Sequence, residues 1–309
     1  MQKSPFFSII IPTFNRGYIL PETVRSIQNQ SFADWEVIIV DDGSTDNTAS
    51  VVRSLQQNDE RIRYVFQENA ERSAARNNGA IQSKGQYLLF LDSDDAFTDD
   101  HLDELNQLIQ RHKAPVGMIF SNMIYLTEDG LEAVELPLMQ AGKEFEYMLL
   151  QPITPSRVCI HRDVFSVFRF DPQITIVEDL VLWVCIASQF PVYQLTKPTV
   201  LYRVHPDNSV DLSRNSYAKR YKGLKRFFTH DDYSVVSTKI SPDIKSHLLA
   251  ECTFNIARHF EFVRNYSAMN YMLLRSLFHK FSYRNKERLY MFLSHLPVLG
   301  YWLRNRKRK

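Results

Sequence analysis

The chain has 309 residues, 44% of them hydrophobic, with only 9 glycines and 13 prolines. That is enough for one large domain or two modest ones around a sizeable core, and the chain shows no low-complexity segment and no internal repeat. The formal net charge is only +2, but residues 1–214 carry 18 Lys+Arg against 29 Asp+Glu, whereas residues 215–309 carry 19 against 6. Such a split points to two functional regions, the second with a basic surface suited to nucleic acid, anionic lipid or an acidic substrate. Cys159, Cys185 and Cys252 are scattered and odd in number, none at metal-binding spacing, which fits a reducing compartment rather than a disulfide framework. The N-terminal apolar run, Phe6 to Pro12, is too short for a signal-peptide core and reads as a first strand.

Strand and helix signals then alternate. Phe7 to Pro12 is strand-like, and Leu20 to Asn29 is helix-like with Pro21 near its start, where a missing N–H does no harm. Trp35 to Val40 is the second strand. It breaks at Asp41-Asp42-Gly43-Ser44, and a helix from Thr45 to Leu55 follows, capped by Ser44 or Thr45. Arg61 to Phe66 is a third strand, Ser73 to Gln82 a helix and Tyr87 to Leu91 a fourth strand. Asp99 to His112 places Leu102, Leu105, Leu108 and Ile109 at helical spacing. This βαβα order predicts an α/β fold with a mostly parallel sheet flanked by helices. After Val116 the pattern loosens into a strand at Met118 to Leu126, a buried helix at Leu180 to Ser188, and one or two strands from Tyr193 to Val204 interrupted by Pro198. Beyond about Tyr217 the chain reads as helices rich in Lys, Arg and aromatics, and the boundary is placed near residues 210–216.

The chemistry concentrates where strands end. Asp92, Asp94 and Asp95 follow the fourth strand, and ligands of open α/β sheets bind just outside such ends. Three neighbouring carboxylates repel one another unless a positive group sits among them. Mg²⁺ or Mn²⁺ answers that need and favours carboxylate plus phosphate oxygens, so the loop predicts a metal-bound diphosphate. The competing reading is a solvated acidic loop that opens the next helix. Asp41-Asp42-Gly43-Ser44 lies on the same edge, where Asp42 can accept hydrogen bonds from a ribose or a base. An Asx-type turn explains it equally well. Pro12, Thr13 and Phe14 end the first strand there, with Phe14 available to stack on a base or to fill core. In SAARNNG, Arg76 and Asn77 are suited to a diphosphate or ribose, while Arg76 can also be a surface charge paired with Glu68 or Glu71.

The four segments PTFN, DDGS, SAARN and DSDD, in that order and at those intervals, resemble the inverting glycosyltransferases of family 2, which have a GT-A fold. The resemblance covers about residues 6–210. It implies that Asp42 recognises the nucleotide base, that Pro12, Thr13 and Phe14 line its pocket, and that Arg76, Asp92 and Ser93 belong to the donor site. It also implies that Asp94 is a ligand of a divalent cation, Mn²⁺ or Mg²⁺. Glu71 and Arg72 stand here where the family often has glycines. Glu178-Asp179 matches the family's Glu-Asp pair at a helix start and implies Asp179 as the catalytic base. A carboxylate in a first helical turn is held ionised by the helix dipole and can take a proton from an acceptor hydroxyl. The segment from Tyr202 to Ser209 resembles the close of the family's catalytic domain, where His205 is implied as a further metal or diphosphate contact.

These readings predict a GT-A catalytic domain over residues 1–212, its nucleotide-sugar half about 1–98 and its acceptor half about 99–212, and a basic helical extension over 213–309. The expected donor is a UDP-sugar and the expected acceptor a saccharide or lipid-linked saccharide. A nucleotidyltransferase is the first rival, but TFNRGY has one Gly and one Arg where a triphosphate loop would be Gly-rich and basic. A non-catalytic nucleotide-sugar-binding protein is the second, and retention of Asp42, Asp92, Asp94 and Asp179 counts against it. LYMFLSHLPVLGYWL near the C-terminus is short of the ~20 residues of a spanning helix. With the basic tail after Trp302 it reads as an interfacial segment for an anionic membrane, or as a core helix with a charged end. No nucleic-acid motif is present. The expected location is cytoplasmic, peripheral at the inner face of the membrane.

Overall fold

The structure is a computed structural model that describes residues 4–127, 130–204 and 215–294. Contacts divide the chain into two compact units, Met1–Pro206 and Asp207–Lys309.

The first unit opens with β1 (Phe7–Thr13), α1 (Leu20–Gln28), β2 (Trp35–Asp42), α2 (Thr48–Asn58), β3 (Ile62–Gln67), α3 (Glu71–Gln82) and β4 (Tyr87–Phe90). It continues through β5 (Ala96–Phe97), α4 (His101–Arg111), β6 (Met118–Thr127), β7 (Gly130–Val134), α5 (Glu144–Leu150) and a 3-10 turn at Pro155–Arg157. β8 (Val158–His161), α6 (Arg162–Val167), α7 (Glu178–Ala187) and β9 (Val192–Arg203) complete it. The strand order is β3-β2-β1-β4-β8-β6-β9-β5, with β7 paired to β6. β1 to β4 pair in parallel, so their C-terminal ends share one edge.

The sequence dictates this half directly. Every residue of β1, β2 and β4 is buried, as expected of strands covered on both faces. Ile9, Ile11, Val37, Ile39 and Leu89 point into one core with Leu20, Val24 and Ile27 of α1. On the opposite face α3 lies close to the sheet. A Cβ at Gly79 would stand 2.4 Å from Ile10 and 3.0 Å from Val40, so a glycine is needed for α3 to approach.

The acceptor half differs more from expectation. β8 pairs antiparallel with both β4 and β6, inserting a strand where no alternating signal marks one. β9 is one strand, paired in parallel with β6. Its register shifts around Asn122 and Pro198, since proline has no N–H to give the ladder. α2 starts at Thr48, later than expected: Asn15 Oδ1 accepts from the N–H of Thr45 and of Asp46, and Asp46 Oδ1 accepts from Thr48 N–H, which hold these residues out of the helix.

The second unit comprises α8 (Ser216–Thr229), a 3-10 turn at Asp231–Tyr233, α9 (Ser234–Ser237), α10 (Pro242–Phe262), α11 (Tyr266–His279) and α12 (Asn285–Ser294). Phe254 and Ala257 of α10, Met269 and Leu273 of α11 and Met291 of α12 form its core. Arg288, 3% exposed, donates to the carbonyls of Ser276, Lys280 and Phe281 and so ties α12 to the end of α11. The three cysteines are buried and free. Among the described residues no helix is long and apolar enough to cross a membrane.

Candidate active site

The parallel strands deliver three loops to one edge of the sheet. The first two are locked together. Asn15, held at φ 53°, donates its N–H to Ser44 Oγ at 2.9 Å and accepts from Thr45 N–H at 2.8 Å. Asp41 and Asp42 then divide the work. Asp41 builds the turn, accepting from Ser44 N–H at 2.8 Å and from the Tyr64 hydroxyl at 2.7 Å. Burial, then this carboxylate, push the Tyr64 hydroxyl up to about 12. Asp42 accepts from Gln67 Nε2 at 2.7 Å and Ala70 N–H at 2.8 Å, both on Oδ1. Gly43 turns the chain at φ +82°, beside the backbone of Asn69. Pro12 and Thr13 are buried at the end of β1, and Phe14 is 48% exposed, so its ring is not core.

The third loop is the acidic one, and its carboxylates have separate fates. Asp95 is buried. Its Oδ2 accepts from Ser156 Oγ at 2.6 Å and its Oδ1 from Arg203 N–H at 3.3 Å. Burial, then the charges of Asp92 and Asp94, raise its carboxyl well above the usual range. Ser156 Oγ also accepts from Asp92 N–H at 3.1 Å, so one hydroxyl pins both ends of the loop. Ser93 is buried, and its carbonyl accepts from Thr23 Oγ1 at 2.9 Å. Asp94 stands at the loop's outer face, with Arg16 Nη2 3.7 Å from its Oδ2. Burial, then Asp95, Asp92 and Asp94, keep the nearby Tyr202 hydroxyl protonated.

Arg76 joins this loop to α7. It is 1% exposed, with Nη2 2.7 Å from Asp92 and Nη1 3.0 Å from Glu178, and it lies over the ring of Phe170. Burial opposes its charge, but Asp92 and Glu178 outweigh that and hold the guanidinium pKa above its ordinary value. Its partners are therefore neither Glu68 nor Glu71. Glu178 is buried, whereas the next residue, Asp179, is partly exposed, with Oδ1 accepting from Leu180 N–H at 2.7 Å. Val177 precedes them at φ 71°, a conformation a β-branched residue adopts only where its surroundings impose it. The strained entry to α7 turns Glu178 inward.

The fold thus gathers Pro12, Thr13, Phe14 and Asp42 on one edge with Ser93 and Asp94, and ties Arg76, Asp92 and Glu178 into one cluster beside Asp179. His205 lies outside the described residues, as do Tyr301, Trp302 and the basic tail. Sequence reading missed Ser156, the approach of Tyr202 and Arg16 to the acidic loop, and the Arg76–Glu178 pair. Their partners are distant in the chain, and no local pattern announces them.

Among the described residues no three His, Cys, Asp or Glu side chains form a metal-binding group. Mg²⁺ and Mn²⁺ do not require one at a diphosphate site, where one or two carboxylates suffice and phosphate oxygens complete the shell. Asp94, partly exposed beside Asp92, fits that role. Asp92 is already engaged by Arg76, and Asp95 is turned toward Ser156.

Comparison with known proteins shows the family and the fold. The sequence profile of Glycosyl transferase family 2 matches residues 8–166. A Campylobacter jejuni relative, GalNAc(5)-diNAcBac-PP-undecaprenol beta-1,3-glucosyltransferase, is 29% identical over 294 residues, covering 88% of each chain. The glycosyltransferase TuaG of Bacillus subtilis, named for teichuronic acid biosynthesis, is 30% identical over 229 residues, 72% of this chain and 89% of its own. Among solved structures, S. aureus TarS 1-349 in complex with UDP-GlcNAc superposes with a TM-score of 0.59 at 18% identity, covering 97% of this chain and 87% of that one. That likeness is one of fold.

Proposed function

The chain belongs to glycosyl transferase family 2 and is a glycosyltransferase of GT-A type that uses a nucleotide-sugar donor; we propose that the donor is a UDP-sugar, that transfer inverts the anomeric centre, and that a divalent cation is required. The observation that carries this reading is the shared edge on which Asp42, the Asp92–Asp94 loop and the Arg76–Glu178 pair are held.

Asp42 receives the base. Gln67 and Ala70 orient its carboxylate through Oδ1, and Oδ2 is left to accept the imide N–H that uracil offers. Pro12 and Thr13 form the floor beside it, and the exposed ring of Phe14 offers a stacking face. Asp94 would hold the cation, which when bound would neutralise the charge that gathers on the departing diphosphate, while Asp92, engaged by Arg76, shapes the donor side of the loop. Arg76 does not reach substrate. It fixes Asp92 and Glu178, and through Glu178 it fixes the first turn of α7. Asp179 then takes the proton of the acceptor hydroxyl as that oxygen attacks the anomeric carbon from the face opposite the nucleotide. Attack and departure on opposite faces give inversion in one displacement.

For the acceptor we propose a saccharide, lipid-linked in the setting suggested by the Campylobacter relative, with the enzyme peripheral at an anionic membrane surface. Incubation with a panel of UDP- and GDP-sugars and Mn²⁺, scored by release of the nucleoside diphosphate, tests the reading. Release that EDTA abolishes and Asp94→Ala removes without unfolding is the expected result. Full activity in EDTA excludes the cation, and release from GDP-sugars alone excludes uridine.

A further inference from the structure

The second unit carries an outward face whose composition is inverted for a solvated helix. On α11 the inner side is Met269, Leu273 and Ser276. The opposite stripe of an amphipathic helix is ordinarily polar. Here it is Tyr271, Leu274 and Phe278, spaced three and four residues apart and 60%, 54% and 89% exposed. Phe281, next to the helix end, is also exposed. Single exposed apolar residues need no explanation, but a contiguous stripe marks a surface meant to be covered.

Charge identifies the cover. α11 contains no Asp or Glu, and from Arg264 to Arg288 the chain has six basic residues and one acid, Glu287. Arg264, Arg284 and Lys286 are exposed at the two ends of the stripe. Apolar and aromatic residues flanked by cations are the pattern of a helix that lies in the headgroup region of an anionic bilayer. A second copy of the chain would bring cation against cation on this face.

We infer that the Tyr271–Leu274–Phe278 face of α11 is a membrane-docking surface that enters the headgroup layer of an anionic bilayer. The inference rests on the lipid-linked-acceptor reading and gives it a named surface within the second unit. It is separate from any contribution of the C-terminal tail.

The test is co-sedimentation of the full chain with vesicles of equal parts phosphatidylglycerol and phosphatidylcholine, and with phosphatidylcholine alone, in low and high salt. Binding to the anionic vesicles, weakened by salt, is expected. Leu274→Glu with Phe278→Glu should lower that affinity by about tenfold or more. Leu274→Ala with Phe278→Ala should weaken it less, and it decides the matter if the first variant fails to fold. Arg284→Gln with Lys286→Gln should flatten the salt dependence. Absence of vesicle binding, or binding undiminished in both apolar variants, overturns the inference. So does a wild-type dimer in sedimentation velocity that the same substitutions dissociate. UDP release is measured on the same samples: vesicle binding without UDP release removes the UDP-sugar reading and leaves the surface, and UDP release without binding does the reverse.

Discussion

Arg76 and Glu178, 102 positions apart, form a buried ion pair at 3.0 Å that also includes Asp92 at 2.7 Å. One guanidinium thereby connects the end of a sheet strand to the first turn of α7. In the proposed mechanism it sets the distance between the half of the site that would hold the leaving group and the half that would hold the base. Its Nε, buried without a partner, shows that the arrangement is not optimised for stability alone.

Arg76→Ala should therefore be costly. It strands Glu178 as an uncompensated buried charge, and breaking such a pair costs about 3–5 kcal/mol. Urea unfolding should show a loss of that order, with a smaller loss for Glu178→Gln, whose amide oxygen can still accept from Nη1. If Arg76→Ala unfolds within about 1 kcal/mol of wild type, the pair is not what holds α7.

Base recognition is tested at Asp42. Asp42→Asn keeps the shape of the turn and one oxygen for Gln67 and Ala70, but presents N–H instead of an acceptor to the nucleotide. Loss of a hydrogen bond to a charged group is worth about 1.5–3 kcal/mol, so the UDP dissociation constant should rise by about tenfold or more. Titration calorimetry with UDP and Mn²⁺ measures it. Unchanged affinity would place the base elsewhere.

The parallel half of the fold was legible because β1, β2 and β4 are buried on both faces. FSIIIP, WEVIIV and YLLF leave no other reading, and each is followed by its turn residues within a short join. β5, of two residues, and β8, VCIH, carry too little pattern to be seen, and they matter because they set β9 and the 3-10 turn with Ser156 against the acidic loop. The site was legible as motifs but not as contacts. Asp92 and Asp94 could be named from their positions at a strand end, and Asp179 only through the resemblance to the family's Glu-Asp pair. That Arg76 faces inward, and that Asp95 is tied to Ser156 rather than to solvent, depends on burial that only the assembled sheet creates.

Acid sensitivity should arise away from the site, at His101. It is 1% exposed, stacked on Phe97, with Nδ1 2.7 Å from Thr199 Oγ1. Burial pulls its pKa down to about 3, with Asp100 opposing weakly. The folded state therefore keeps His101 neutral where the unfolded chain, with an ordinary value of 6.5, binds a proton. Its contribution is intact above about pH 6.5 and is lost as pH falls toward 3, by up to about 1.4 kcal/mol per pH unit. Unfolding free energies between pH 6.5 and 4.5 should fall less steeply for His101→Gln than for wild type. Parallel pH profiles would show that other groups set the slope.

The central claim is that Asp179, presented by the Arg76–Glu178 anchored turn of α7, is the base. Asp179→Asn keeps the side chain's shape and its acceptor for Leu180 N–H while removing the ability to take a proton. The direct measurement is single-turnover sugar transfer to acceptor by this variant, alongside its affinity for UDP. The account predicts a kcat lower by about 10²–10⁴, with UDP bound nearly as tightly as by wild type. Transfer at close to the wild-type rate would contradict it.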